Sequence, residues 1–157
     1  MTGEQDQENV VEIRKILVPI DGSKVSTKAL EYAIHIAKKE KANLSCIHVI
    51  ASPQYLSWES GEGKSILYAF YEEGKKRAEE WFRKATDLAA REGVNLTTGF
   101  VLDVRSVADT IVNYGIDENL DLIVIGITGR TGLKKYLAGG IASAVILYAH
   151  CPVLAVG

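Results

Sequence analysis

The fold is decided by Asp121-Leu-Ile-Val-Ile-Gly126-Ile-Thr-Gly129-Arg130-Thr-Gly132-Leu-Lys-Lys-Tyr136-Leu-Ala-Gly139-Gly140-Ile141-Ala142-Ser-Ala144. Leu122 to Ile125 is a short, β-branched apolar run bounded by Asp121 and Gly126, which predicts a strand buried on both faces, the kind found in parallel sheets. Glycines follow at 126, 129, 132, 139 and 140. Tyr136, Leu137, Ile141, Val145 and Tyr148 then recur at helical spacing. In a strand, glycine loop and helix arrangement, free backbone N–H groups converge on a concave site that suits anions, phosphate above all. Many glycine-rich loops are only turns, so both readings stay open on local pattern. No Gly-Lys-Ser/Thr closes the loop as in a Walker A motif, and the dinucleotide Gly-x-Gly-x-x-Gly spacing is absent.

Working outward, the helix after the loop should stop at Pro152, and Val153 to Val156 reads as a last strand. Upstream, Ile16 to Ile20 is a first strand ending in Asp21-Gly22-Ser23. Asp21 then lies at a carboxyl strand end, where open α/β sheets place ligands; it is equally a residue that caps turns and helices. Ser23 or Ser26 should cap a helix to about Lys41, with Ala29, Ala33, Ile34 and Ala37 as its apolar stripe. Asn43 to Ile50 reads as a second strand, with Cys46, His48 and Ile50 on one face and Ile47 and Val49 on the other. Cys46 and His48 lack the further ligands of a metal site. Ala51 to Lys64, with Pro53, Gly61 and Gly63, reads as an irregular flap carrying Tyr55 and Trp58. A long amphipathic helix follows to about Glu92, with Trp81 and Phe82 in its apolar stripe and Gly93 as its stop. Val94 to Val101 is a third strand, and Asp103 is the expected cap of a helix to about Asn119. Strands and helices alternate throughout, which predicts one parallel sheet with helices on both faces.

Composition fits this. A chain of 157 residues suits one domain with a full core. A net charge of −2 lacks the basic footprint of a nucleic-acid binder. No apolar run is long enough to span a membrane. Residues 1–12 are polar and acidic, and predict a flexible tail rather than a signal peptide, followed by a domain over 13–157. Two cysteines without a Cys-x-x-Cys read as free thiols. Together these features predict a cytoplasmic protein.

Three separated segments carry a family resemblance. Lys15-Ile-Leu-Val-Pro-Ile-Asp-Gly-Ser23, Asp121-Leu-Ile-Val-Ile-Gly126 with Gly126-x2-Gly129-x9-Gly139, and Pro152-Val-Leu-Ala-Val156 resemble the opening strand, the nucleotide loop and the last strand of the universal stress protein (UspA-like) family. The resemblance implies a single five-stranded parallel sheet of order 3-2-1-4-5, of the adenine nucleotide alpha hydrolase-like type, with ligand at the switch between strands one and four. It implies adenine beside Pro19, Ile20 and Asp21 and the backbone at Val49. Ribose and phosphates would lie along Ile125, Gly126, Gly129, Arg130, Gly139, Gly140 and Ile141. It therefore turns the reading of Asp21 toward ligand contact. It also implies a homodimer through Val153, Leu154, Ala155 and Val156. Where the family carries Ser or Thr after its third glycine, this chain has Gly140, and where a second hydroxyl is common it has Ala142. Arg130 and Lys134 offer compensating charge, or are simply exposed loop residues.

The leading expectation is thus a dimeric stress-response regulator that binds ATP or AMP, the former with Mg²⁺. No catalytic constellation is legible, and no catalytic or metal-ligating residue is assigned. Two alternatives stay open: slow ATP hydrolysis with Asp21 helping to place the metal, and an interaction module whose site is weak or empty.

Overall fold

The computed structural model describes residues 10–52, 61–103, 106–127 and 140–157. Lys15–Pro19 (β1) is the middle strand, and its central residues Ile16, Leu17 and Val18 are wholly buried. The chain continues through Lys24–Glu40 (α1), Asn43–Ala51 (β2), Gly61–Arg91 (α2), Leu96–Asp103 (β3), Val107–Asp117 (α3), Leu122–Gly126 (β4), Gly140–Tyr148 (α4) and Val153–Val156 (β5). The five strands form one sheet in the order β3-β2-β1-β4-β5, and every pairing is parallel.

Strand alternation sorts the core into two layers. Ile16, Val18, Leu44, Cys46, Leu122 and Val124 face α1 and α2, meeting Ala29, Ala33 and Ala37 of one helix and Ala78, Phe82 and Ala85 of the other. Leu17, Ile47, Val49, Ile123 and Ile125 face α3 and α4, meeting Ile111, Val112, Ala142 and Val145. Each fully buried Leu, Ile or Val is worth roughly 1.5–3 kcal/mol relative to exposure, so a sheet covered on both faces needs little else to hold it. The expected split of Cys46 and Ile50 from Ile47 and Val49 is the observed one, since Ile50 lies against Gly74 of α2.

Local signals set the helix ends. Ser23 caps α1, its Oγ accepting from the Ser26 amide at 3.2 Å. Lys41 closes α1 in the left-handed region, with its amide donating to the Ala37 carbonyl. Asp121 splices the far end of the sheet, its Oδ2 accepting from the amides of Arg14 at 2.8 Å and Lys15 at 2.9 Å.

Three expectations need correction. Ser106, not Asp103, caps α3, its Oγ accepting from the Asp109 amide at 3.2 Å. Asp103 is instead the last residue of β3, paired with Ala51, and strand pairing that runs to the last residue of β2 overrides its capping tendency. The flap is shorter than read, because Ala51 ends β2 and residues 61–64 already belong to α2. Two early glycines cost about 1 kcal/mol each in a helix, a cost that a helix as long as α2 offsets through packing. Residues 53–60, with Tyr55 and Trp58, lie outside the described residues, as do residues 1–9 of the expected tail. Finally, α4 buries Ala142 and Val145, whereas Ile141 and Tyr148 are exposed. Among the described residues no helix is long and apolar enough to cross a membrane.

Candidate functional site

After β1 the chain turns toward β2 and β3; after β4 it turns the other way, to β5. The carboxyl ends of β1 and β4 are therefore left without a crossover between them, the place where open α/β sheets hold ligands. A cleft of about 380 Å³ opens there. Its lining comes from the β1 turn and the start of α1, the end of β2, the start of α3, the end of β4 and the start of α4.

Pro19, Ile20, Asp21, Val49, Ile125, Gly126, Gly140 and Ile141, all expected from the sequence, line this one cleft. Gly129, Arg130, Gly139 and Lys134 lie outside the described residues. The lining also includes residues the sequence reading left out: Ser23, Val25 and Ser26 from α1 and its cap, Val107 and Ile111 from α3, and His48 from β2. Of these, Ser23 and Ser26 carry a sequence signal as cap candidates beside Asp21, and His48 carries one in its place beside Val49 at a carboxyl strand end.

Asp21 closes a turn and also borders the cleft. Its Oδ1 accepts from the Ser23 amide at 2.9 Å, and its own amide donates to Ser26 Oγ at 3.4 Å. The side chain thus folds the turn that starts α1 while the residue lines the cleft. Burial pushes the carboxyl up. Hydrogen bonds from Ser23 and Ser26, with electrostatic attraction to His48, outweigh it and hold the group below its ordinary value. A carboxylate that stays ionised into acid is a standing hydrogen-bond acceptor for hydroxyl or amine groups of a ligand.

Glycine plays three different parts here. Gly22 has φ +80, a conformation side chains avoid. Gly126 allows close approach of main chains: a Cβ there would lie 2.8 Å from the carbonyl carbon of Val25 and 3.0 Å from the Ser26 nitrogen. Gly140 meets no described residue within 4 Å, so among these residues nothing fills the place where the family's hydroxyl would stand. Ala142 is 3% exposed, packs in the core and also borders the cleft. α4 is described from Gly140, and the amides at a helix start are the groups that can donate to an anion. Ile20, Val49, Val107, Ile111 and Ile125 form the apolar part of the walls. An apolar slot with one carboxylate at one end and helix amides at another suits a molecule with a flat base and an anionic tail.

Comparison with known proteins agrees with this geometry. The model of the universal stress protein family matches residues 12–157. Universal stress protein MJ0531 of Methanocaldococcus jannaschii is 38% identical over 144 residues, spanning 91% of this chain and 81% of the relative. Among solved structures, the universal stress protein UspA from Lactobacillus plantarum is similar with a TM-score of 0.80 at 25% identity, covering 94% of this chain and 100% of that one. The universal stress protein from Archaeoglobus fulgidus in complex with dAMP shares the fold at 19% identity, with a TM-score of 0.67 and coverage of 94% and 100%. With the family match running from before β1 to the last residue, this chain belongs to the universal stress protein family.

Proposed function

We propose that the cleft binds an adenine nucleotide, ATP or AMP, and that the protein acts as a dimeric stress-response regulator rather than as an efficient enzyme. The observation that carries this reading is the convergence of the β1 turn, the end of β2, the end of β4 and the first turn of α4 on one cleft of about 380 Å³. That size lies in the roughly 300–1,000 Å³ range of small-molecule sites. In this reading the base lies on Ile20, Val49 and Ile125 beside Asp21. The phosphates run from Gly126 toward the amides of Gly140 and Ile141. The dAMP complex of the Archaeoglobus relative supports the choice of adenine.

Mg²⁺ fits as the companion of ATP and not as a resident ion. Asp21 is the one carboxylate among the described lining residues. No group of three or more His, Cys, Asp or Glu able to hold a metal occurs among the described residues. Mg²⁺ takes one or two carboxylates plus phosphate oxygens, so the nucleotide would supply most of its ligands.

Dimerisation through Val153 to Val156 is supported by the position of β5 at the sheet edge. Ile146, Leu147 and Tyr148 of the adjoining α4 are exposed and add apolar surface. The carbonyls of Pro152 and Val156 bond toward β4, so by alternation the N–H of Ala155 points to the open edge. Ala155→Pro therefore spares the β4 ladder and should convert a dimer to a monomer by sedimentation.

Calorimetric titration with ATP and AMP, with and without Mg²⁺, tests the nucleotide reading, and Asp21→Ala should weaken binding. No heat at millimolar ATP with Mg²⁺ would refute it and leave an interaction module with an empty site, a reading that Gly140 and Ala142 favour. Slow hydrolysis is checked in the same preparations: turnover that survives Asp21→Ala unchanged does not belong to this cleft.

A further inference from the structure

We propose that His48 and Trp81 are positioning residues for the cleft, holding the Ile20–Ser23 turn, and with it Asp21, in the geometry a ligand meets. The proposal rests on the nucleotide reading for its consequence, but its structural core stands on the turn alone. The β1–β2 ladder pairs Pro19 with Ile47 and then runs out of strand. One residue on, the Ile20 amide donates to the Ile47 carbonyl at 2.8 Å. The Ile20 carbonyl bonds to no strand partner; it accepts from His48 Nδ1 at 2.7 Å. A carbonyl only accepts, so Nδ1 carries the proton in either charge state of the ring. The imidazole thus acts as one more rung of the sheet, made by a side chain, at the peptide that leads into Asp21.

Trp81 closes the arrangement from α2. Its ring meets the His48 ring edge to face, with centroids 5.1 Å apart and planes at 88°. The same indole occupies the space that a Cβ at Gly22 would need. Gly22 has φ +80, so the turn is pinned by a left-handed residue under an aromatic lid. His48 holds the turn's entry by a hydrogen bond, Trp81 holds its next residue by contact, and the two rings hold each other. Asp21 lies between the two fixed points, and its Oδ1 closes the turn onto the Ser23 amide.

The test is hydrogen exchange of the Ser23 amide, read by NMR without ligand, together with ATP affinity by calorimetry. His48→Phe keeps a ring for Trp81 and deletes the donor; His48→Asn returns an N–H near the Nδ1 position. His48→Phe should speed Ser23 exchange and weaken ATP binding by about three- to tenfold, the worth of one ordinary hydrogen bond. His48→Asn should recover most of both losses, which a merely space-filling histidine would not show. If His48→Phe does not fold, Trp81→Phe, which withdraws part of the indole from Gly22, should raise Ser23 exchange in the same way. Unchanged Ser23 exchange in the folded variant overturns the proposal. If the wild-type chain binds no nucleotide, the nucleotide reading fails separately, and the exchange data still decide whether these rings hold the turn.

Discussion

Gly126→Ala separates two reasons for a glycine at the end of β4. A loop glycine kept for a ligand tolerates a methyl group in the empty protein; a glycine kept for packing does not. Torsion is not the constraint, because Gly126 is not among the described positive-φ glycines, Gly22 and Gly93. Contact is. The added Cβ would sit 2.8 Å from the carbonyl carbon and 2.9 Å from the oxygen of Val25, and 3.0 Å from the Ser26 nitrogen, where ordinary contact is 3.4–4 Å. These are main-chain atoms in the first turn of α1, so no rotamer change relieves the overlap; the helix start must move by about half an ångström. Overpacking of this kind costs about 1–3 kcal/mol. An unfolding entropy near 2.1 cal/mol/K per residue gives about 330 cal/mol/K for a chain of this length, so the melting temperature should fall by about 3–9 °C. Thermal melts by circular dichroism, with Gly140→Ala as control, make the measurement. Gly140 meets no described residue within 4 Å and lies in a helix, so its alanine variant should melt at or slightly above the wild type. Because Val25 and Ser26 also line the cleft, ATP affinity of Gly126→Ala should fall with stability. A Gly126→Ala protein that melts with the wild type would refute the close-approach account.

Gly140→Ser should strengthen ATP binding by roughly ten- to hundredfold if its hydroxyl reaches a phosphate, since one hydrogen bond to a charged group is worth about 1.5–3 kcal/mol; an unchanged dissociation constant would place the phosphates elsewhere. The Asp21 carboxyl sits below its ordinary 3.8 in the fold, so its stabilising effect is complete above about pH 4 and is lost as the pH falls through the lowered value. Asp21→Asn should flatten the acid end of the melting-temperature profile, and a parallel profile would contradict this. Burial pushes the Cys46 thiol up to about 12 from 9.0, so the proton is held more tightly in the fold, and this contribution is present below about pH 9 and lost as pH rises toward 12. At pH 8 a thiol reagent should therefore label Cys46 only on unfolding, well after the half-buried Cys151; equal rates for both in the native protein would count against it.

What the sequence made legible was local chemistry with one dominant cause. Asp-Gly-Ser at 21–23 announced a turn and a cap because glycine alone takes φ +80 cheaply and serine reaches the free amides of a helix start. The parallel sheet was legible because Leu122 to Ile125 carries no polar residue on either face, which only a doubly covered strand tolerates. The order of the strands came from the family resemblance, not from any residue pattern. The misreadings share another cause. Asp103 has a good capping side chain, but β2 extends far enough to pair with it, and backbone pairing outweighs a cap worth about 1 kcal/mol. On α4 an apolar residue sits at almost every position, so periodicity cannot say which face turns inward; packing against α3 selected Ala142 and Val145 and left Ile146 and Leu147 outside. Trp81 was legible as a core residue of an amphipathic helix and no further. Its contact with Gly22 and His48 joins three elements far apart in the chain, and a pattern read along one helix carries no trace of what stands opposite it. Here the cleft-lining residues expected from the sequence follow from motif, whereas the groups that hold the Asp21 turn in place follow only from the fold. That division has a physical basis: a ligand's chemistry restricts residue type at a few fixed spacings, while support for a turn can come from any side chain of the right shape that the topology brings near.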